Sequence, residues 1–248
     1  MKTKTLLFGA FTLCIGLGLF TACGNNNSNN KSETAEAGAN NAKLVMTAPQ
    51  VKADEAGFIN LDACPKTDPH LTVKVNDEFT VATICYDGKE IQTVEEENGL
   101  ASDEAQVHFL DANSDGMTDI YIGPGLSRTL NSLLVWDEFE QQFQVVQGSS
   151  LQNPLVHPGT KSFIDGGSSS YCETDITLNH WKGSLIVAVE NLAIVLDPEQ
   201  YGEIGVEHRY TLTDNDDKVL YSSDDFEGLP EMWKTIVGYY GFNPSEKL

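Results

Sequence analysis

The chain has 248 residues, 37 of them Asp or Glu against 15 Lys or Arg, for a net charge of −22 at neutral pH. An excess of negative charge on this scale argues against nucleic acid as a partner. It also argues against electrostatic binding of an anionic lipid surface by the folded part, because both attract positive charge. Five cysteines, none in a C-x-x-C spacing, leave no zinc or redox motif to build on.

The N-terminal segment, residues 1–22, carries Lys2 and Lys4, then an uncharged apolar run from Leu6 to Phe20, then small residues before Cys23. This is the charged, apolar, small order of a secretory signal. The segment Leu19-Phe-Thr-Ala-Cys23 resembles a bacterial lipobox, with Phe20 standing where Leu is usual. That resemblance implies cleavage before Cys23 and acylation of its thiol and new amino group. Two or more acyl chains hold a protein firmly to a membrane, where one does not. The expected address is therefore the bacterial cell envelope, lipid-anchored at Cys23 on an outer-membrane, periplasmic or surface side. Cleavage removes no charge except the two lysines, leaving 13 basic against 37 acidic residues and a net charge of −24.

Residues 23–42, the lipidated Cys and an Asn-rich stretch, contain nothing that can bury apolar surface, so they are expected to form a disordered tether. As a flexible coil, the 19 residues from Gly24 to Ala42 have an end-to-end distance of about 25 Å. Residues 43–248 are enough for one well-cored domain, and no Pro/Gly/Ser linker divides them.

Within that domain the pattern is strand almost throughout. Leu71–Val75, Phe79–Cys85 and Lys89–Val94 are β-branched runs separated by Asn76-Asp77 and Asp87-Gly88 turns. Val107–Leu110 and Ile120–Ile122 flank a polar loop, and Ser132–Trp136 with Phe143–Val146 read as a hairpin. Gly166–Tyr171 reads as a loop. Ser184–Glu190 and Leu192–Leu196 read as two central strands. Glu207–Leu212 and Lys218–Tyr221 flank the polar tip Asp214–Asp217. Only Pro230–Tyr239 has helical spacing, with Pro at its first turn. The fold class expected is all-β, a propeller-like or sandwich array of short antiparallel strands with one short C-terminal helix. Cys64, Cys85 and Cys172 remain in the domain once Cys14 leaves with the signal; a Cys64–Cys85 disulfide and no disulfide at all are both open readings.

The loop Asp111-Ala-Asn-Ser-Asp-Gly-Met-Thr-Asp119 is the most specific motif in the chain. It places short oxygen-bearing side chains at positions 1, 3, 5 and 9 (Asp111, Asn113, Asp115, Asp119), a backbone carbonyl at position 7 (Met117), and Gly116 at the sharp turn. That is a ligand set for Ca²⁺. Position 12 is Ile122, where a helix-loop-helix site has a bidentate Glu, so the site sits between strands. The alternative is a plain polar turn, since Asp, Asn and Gly favour turns for local reasons; three aspartates converging within nine residues favour a cation. Because every donor comes from one short segment, no position is left open for substrate, and the expected role is structural.

From Val107 to Val146 the string V-H-F-L-D-A-N-S-D-G-M-T-D-I-Y-I, G-P-G and S-L-L-V-W-D-E-F-E-Q-Q-F-Q-V-V resembles the calcium-bearing repeat of FG-GAP-type β-propeller blades. It is most similar to a family of bacterial lipoproteins with one such repeat in a small propeller-like domain. The resemblance implies Ca²⁺ at Asp111, Asn113, Asp115, Met117 and Asp119, packing roles for Trp136, Asp137 and Phe143, and, as for some members, inhibition of a peptidoglycan-cleaving toxin. The chain departs from multi-blade members in having one full loop only.

No catalytic motif accompanies it. Gly166–Tyr171 lacks the G-x-S-x-G elbow, and His70, His108, His157, His180 and His208 are scattered without metal-binding spacing. Acidic runs such as Glu95–Glu97 and Asp224-Asp225 read as solvated faces, and Trp136, Trp181 and Trp233 as core. The reading is a non-enzymatic binding protein with a protein or glycan partner, and the alternative is an envelope glycan-acting hydrolase or glycan-binding protein. A hydrolase requires two facing carboxylates away from the loop.

Overall fold

The structure, a computed structural model, describes residues 43–97, 99–101, 105–123, 131–146, 151–170, 173–196 and 208–240, with side chains left out at 168–170 and 196. The segments expected to be a signal (1–22) and a lipidated tether (23–42, with Cys23), and Cys172, lie outside the described residues.

After an extended N-terminal strap over residues 43–53, the chain forms a two-residue strand, β1 (Ile59–Asn60), and a 3-10 turn at Leu61–Ala63 whose Asn60 side chain accepts from Asp62 N. It then builds two sheets in succession. The first is a meander of β2 (Leu71–Val75), β3 (Val81–Tyr86) and β4 (Lys89–Glu95). The second is a meander of β5 (Gln106–Leu110), β6 (Asp119–Gly123), β7 (Ser132–Asp137) and β8 (Gln142–Val145). The chain next returns to pair β9 (Leu155–His157) with β1 and extends a seven-stranded sheet. That sheet continues through β10 (Ser162–Ser170), β11 (Glu173–Lys182), β12 (Leu185–Leu196), β13 (His208–Asp214) and β14 (Val219–Ser223). All pairings are antiparallel, and the sheets are open. One helix, α1 (Glu231–Tyr239), follows. The expected all-β class with a short C-terminal helix is the observed one.

The four-stranded sheet is covered on both faces, which explains its unbroken apolar strands. Side chains alternate across it. Ile120, Ile122, Leu134 and Trp136 meet Leu71, Ala82, Ile84 and Val94 of the first sheet. On the opposite face Tyr121, Leu133 and Val135 meet Leu61, Val156 and Phe163 of the large-sheet layer. All five residues of β6 are buried. The far face of the seven-stranded sheet is closed by α1, whose Trp233, Ile236 and Val237 (one stripe at three-to-four spacing) pack on Ile176, Leu192, Ile194 and Leu212. The Trp233 indole N–H donates to Glu190 Oε2 at 2.5 Å. Trp136 and Trp233 are therefore core, as expected, and Trp181 stacks edge-on against Phe163.

Two local expectations are corrected, and one open reading is decided. Gly166–Ser170, read as a loop, belongs to β10, where its backbone is paired to β11. The runs 184–190 and 192–196 are not two strands: Asn191 does not turn the chain but pairs with Thr177 and Thr213 within a single β12, whose one irregularity faces Leu178/Asn179. Cys64 and Cys85 are free. They lie in different layers: Cys64 is buried between the central and seven-stranded sheets, with its thiol donating to Asn60 O at 3.5 Å. Cys85 lies on β3 between Ile84 and Tyr86, out of phase with the core-facing Ala82 and Ile84.

Candidate metal centre

The polar loop runs from Asp111 to the first residue of β6, across the end of the central sheet, and its conformation is written into its side chains. The Asp111 carboxylate accepts from Asp115 N at 3.0 Å through Oδ1 and from Gly116 N at 2.9 Å through Oδ2. Asn113 Oδ1 accepts from the same Asp115 N at 3.1 Å, while its amide donates to Asp115 Oδ2 at 2.9 Å. Asp115 Oδ1 accepts from Met117 N at 2.8 Å. Oxygens at positions 1, 3 and 5 thus converge on one turn. Ser114 (φ 59°) and Gly116 (φ 85°) sit in the left-handed region that curls the backbone around them. The Met117 side chain packs against the core shared by the first two sheets.

Asp119 stands apart from that trio. It is fully buried, its Oδ2 accepts from Ala112 N at 2.8 Å, and its Oδ1 accepts from Trp136 N at 2.9 Å on β7. One carboxylate therefore ties the loop entrance to the neighbouring strand. Burial pushes its carboxyl well above the ordinary carboxylate range; the two backbone N–H groups oppose this, and the charges of Asp115 and Asp111 add to it. Asp111 is also raised by burial, against the N–H groups of Gly116, Asp115 and Ser114 and with the charge of Asp115.

Among the described residues no three His, Cys, Asp or Glu side chains are gathered closely enough to hold a metal by themselves. The reason is local: Asp111 and Asp115 share their turn with an Asn, and Asp119 is drawn toward the backbone of Ala112 and Trp136. The donor chemistry nevertheless suits a hard cation. Asp111, Asn113 and Asp115 already point oxygens inward, and like charges press on Asp111 and Asp119. The buried Ser114 hydroxyl also has no hydrogen-bond partner among the described residues. Ca²⁺ held by Asp111, Asn113, Asp115, the Met117 carbonyl and Asp119 would neutralise that charge and supply no chemistry beyond it.

Two features of the site carry no sequence signal of their own. The strap crosses the loop, with Ala48 N donating to Gly116 O at 3.1 Å and Met46 buried beneath it. The clamp from Asp119 to β7 spans 17 residues and is invisible in a motif that reads Asp119 as a ligand alone.

The histidines stay scattered. His70 pairs with Asp87 at 2.8 Å on the surface, His108 is buried with Nδ1 against Cys64 O at 2.9 Å, and His157 caps the Pro158–Thr160 turn through Thr160 N. Glu95, Glu97, Asp224 and Asp225 are exposed. Away from the loop two acids have raised pKa values and share one face of the seven-stranded sheet. Asp165 on β10, pushed up to about 6 by burial against the N–H of Gln152, lies diagonal to Asp175 on β11, raised by burial and by the charge of Glu173.

No family model matches the chain, and no curated protein matches it. A solved structure described as that of a Xanthomonas type IV secretion system related protein is similar to it, at 14% identity and a TM-score of 0.40. The match covers 72% of this chain and 99% of that one.

Proposed function

We propose that this protein is a lipid-anchored binding protein of the bacterial envelope, stapled by calcium, which acts by occupying a partner rather than by chemistry. Inhibition of a cell-wall hydrolase is the sharpest form of that reading. The observation that carries it is the self-contained loop: its oxygens converge on its own backbone, and its buried aspartate is spent on two strand and loop N–H groups. Such a site braces a surface and leaves nothing for a substrate to displace. The strongly acidic surface suits a basic partner.

The test begins with thermal unfolding of the full mature protein in calcium and in chelator. A ligand that binds only the native state raises the melting temperature, so calcium should raise it and Asp115→Ala should abolish the rise. In a peptidoglycan-clearing assay the calcium-loaded protein alone should clear nothing, and should slow an added wall hydrolase that it recognises.

A second reading, a glycan hydrolase, is favoured by the Asp165 and Asp175 pair, because glycoside cleavage takes one protonated and one ionised carboxyl flanking the bond. Clearing by the protein alone, lost in both Asp165→Asn and Asp175→Asn, would establish it and remove the binding reading.

A further inference from the structure

The hairpin joining β7 to β8 presents Phe139 with 90% of its surface exposed, the most exposed large apolar side chain among the described residues. Its position is built rather than accidental. Asp137 Oδ1 accepts from both Phe139 N and Glu140 N, at 2.9 and 3.0 Å, so the turn holds the ring at its apex. The same turn receives the start of the described chain: Lys43 Nζ meets Glu138 Oε1 at 2.7 Å, and Leu44 N donates to Gln141 Oε1 at 2.9 Å. Val45, which follows, is 67% exposed. Two outward apolar side chains thus stand where the chain leaves toward Cys23, with 19 residues between.

We propose that Phe139, with Val45 beside the chain's exit, dips into the lipid at the head-group boundary and orients the domain on the membrane that holds its anchor. This rests on acylation of Cys23. The occupant follows from connectivity: 19 residues of the flexible coil that their composition implies would keep the hairpin at an effective concentration of about millimolar relative to the bilayer, so a contact too weak to hold a free protein becomes populated. The acidic chain disfavours electrostatic adsorption, and the contact is accordingly apolar. At the turn Glu138 is paired to Lys43, and an Asp137 oxygen is occupied by backbone N–H groups.

The experiment uses the full acylated protein in vesicles of phosphatidylethanolamine with a minority of phosphatidylglycerol. Phe139→Trp serves as the reporter, read as the difference from the wild type, whose Trp136 and Trp233 are buried and whose Trp181 is half-buried. The exposed position makes the substitution harmless to the fold. Flotation with the vesicles reports the anchor; the added tryptophan emission, its blue shift and its quenching by brominated lipids report the contact. The expected result is flotation together with quenching at a depth of about 5–10 Å, the range of interfacial apolar side chains. Flotation with unshifted, unquenched emission overturns the inference and leaves the anchor intact. Failure to float overturns both. A blue shift that needs no lipid and grows with protein concentration also overturns it, and assigns the hairpin to a second copy of the chain.

Discussion

Asp119 and Asp115 look equivalent in the motif and differ sharply in what they hold. Asp119 satisfies two backbone N–H groups in a fully buried setting, so Asp119→Ala strands both. Each buried unsatisfied donor costs about 1–3 kcal/mol; Asp119→Ala is expected to lower stability in chelator by about 3 kcal/mol, read from urea unfolding. Asp115 is exposed, and Asp115→Ala is expected to cost less than about 1 kcal/mol in the same buffer while removing the calcium response. The half-buried Asp165 gives a pH signature. Its folded pKa of about 6 exceeds the ordinary 3.8, so between those values the folded state holds a proton the unfolded chain lacks, and stability falls as pH rises through that window. The cost is complete above about pH 6 and absent below about pH 4. Asp165→Asn, whose amide oxygen can still accept from Gln152 N, should therefore be more stable than wild type by about 2 kcal/mol at pH 7.5. It should lose that advantage below about pH 4, in denaturant midpoints taken across pH.

At the scale of elements, what could be read in advance followed from how evenly apolar side chains recur. Ser132–Trp136 was legible as a strand because its apolar residues run without a break, and the sheet it joins is buried on both faces. The Gly166-Gly-Ser-Ser-Ser run was not, because small residues carry little strand preference; pairing to β11 holds it, with Tyr240 packed over Gly166 and Gln152 over Gly167, where a larger side chain would collide. Asn191 resembled a break for the opposite reason, a polar residue whose partners, Thr177 Oγ1 at 3.1 Å and the paired Thr213, lie far along the chain. The turn Asp111–Asp119 was legible residue by residue, since its hydrogen bonds are local, whereas the strap and the Asp119 clamp depend on contacts the spacing does not encode. The helix was legible from its stripe, and its anchor is testable. Trp233→Ala leaves a cavity against the seven-stranded sheet and strips Glu190 of its indole partner, and should cost about 3–5 kcal/mol. Hydrogen exchange should then show β12 and β13 opening while β5 to β8 stay protected, which global unfolding alone would not produce.

Among the described residues the layers are coupled through the strap, which touches the β7–β8 hairpin by Lys43 and Leu44, the first sheet by the Tyr86 hydroxyl on Val45 O at 3.3 Å, and the Asp111–Asp119 loop by Ala48. Met46→Ala empties a buried position in the core between the first two sheets, and is expected to cost about 2–3 kcal/mol. If the strap also braces the loop, the same variant should bind calcium more weakly, checked by titration calorimetry at a temperature where the variant remains folded.

The pairing of β1 with β9 joins Ile59 to Val156 and Asn60 to Leu155, so everything from the first sheet through the second is enclosed between two strands that meet only afterwards. The enclosed hairpins have short loops to close and can form early, while the two-residue strand must wait for a partner almost a hundred residues downstream. Folding of this chain is therefore expected to have an order in time, with the Asp111–Asp119 loop assembled inside its meander before the buckle at Ile59 and Val156 fastens. Calcium bound by the Asp111–Asp119 loop would then accelerate the early phase of refolding and leave the closing phase, which sets the overall pace, unchanged.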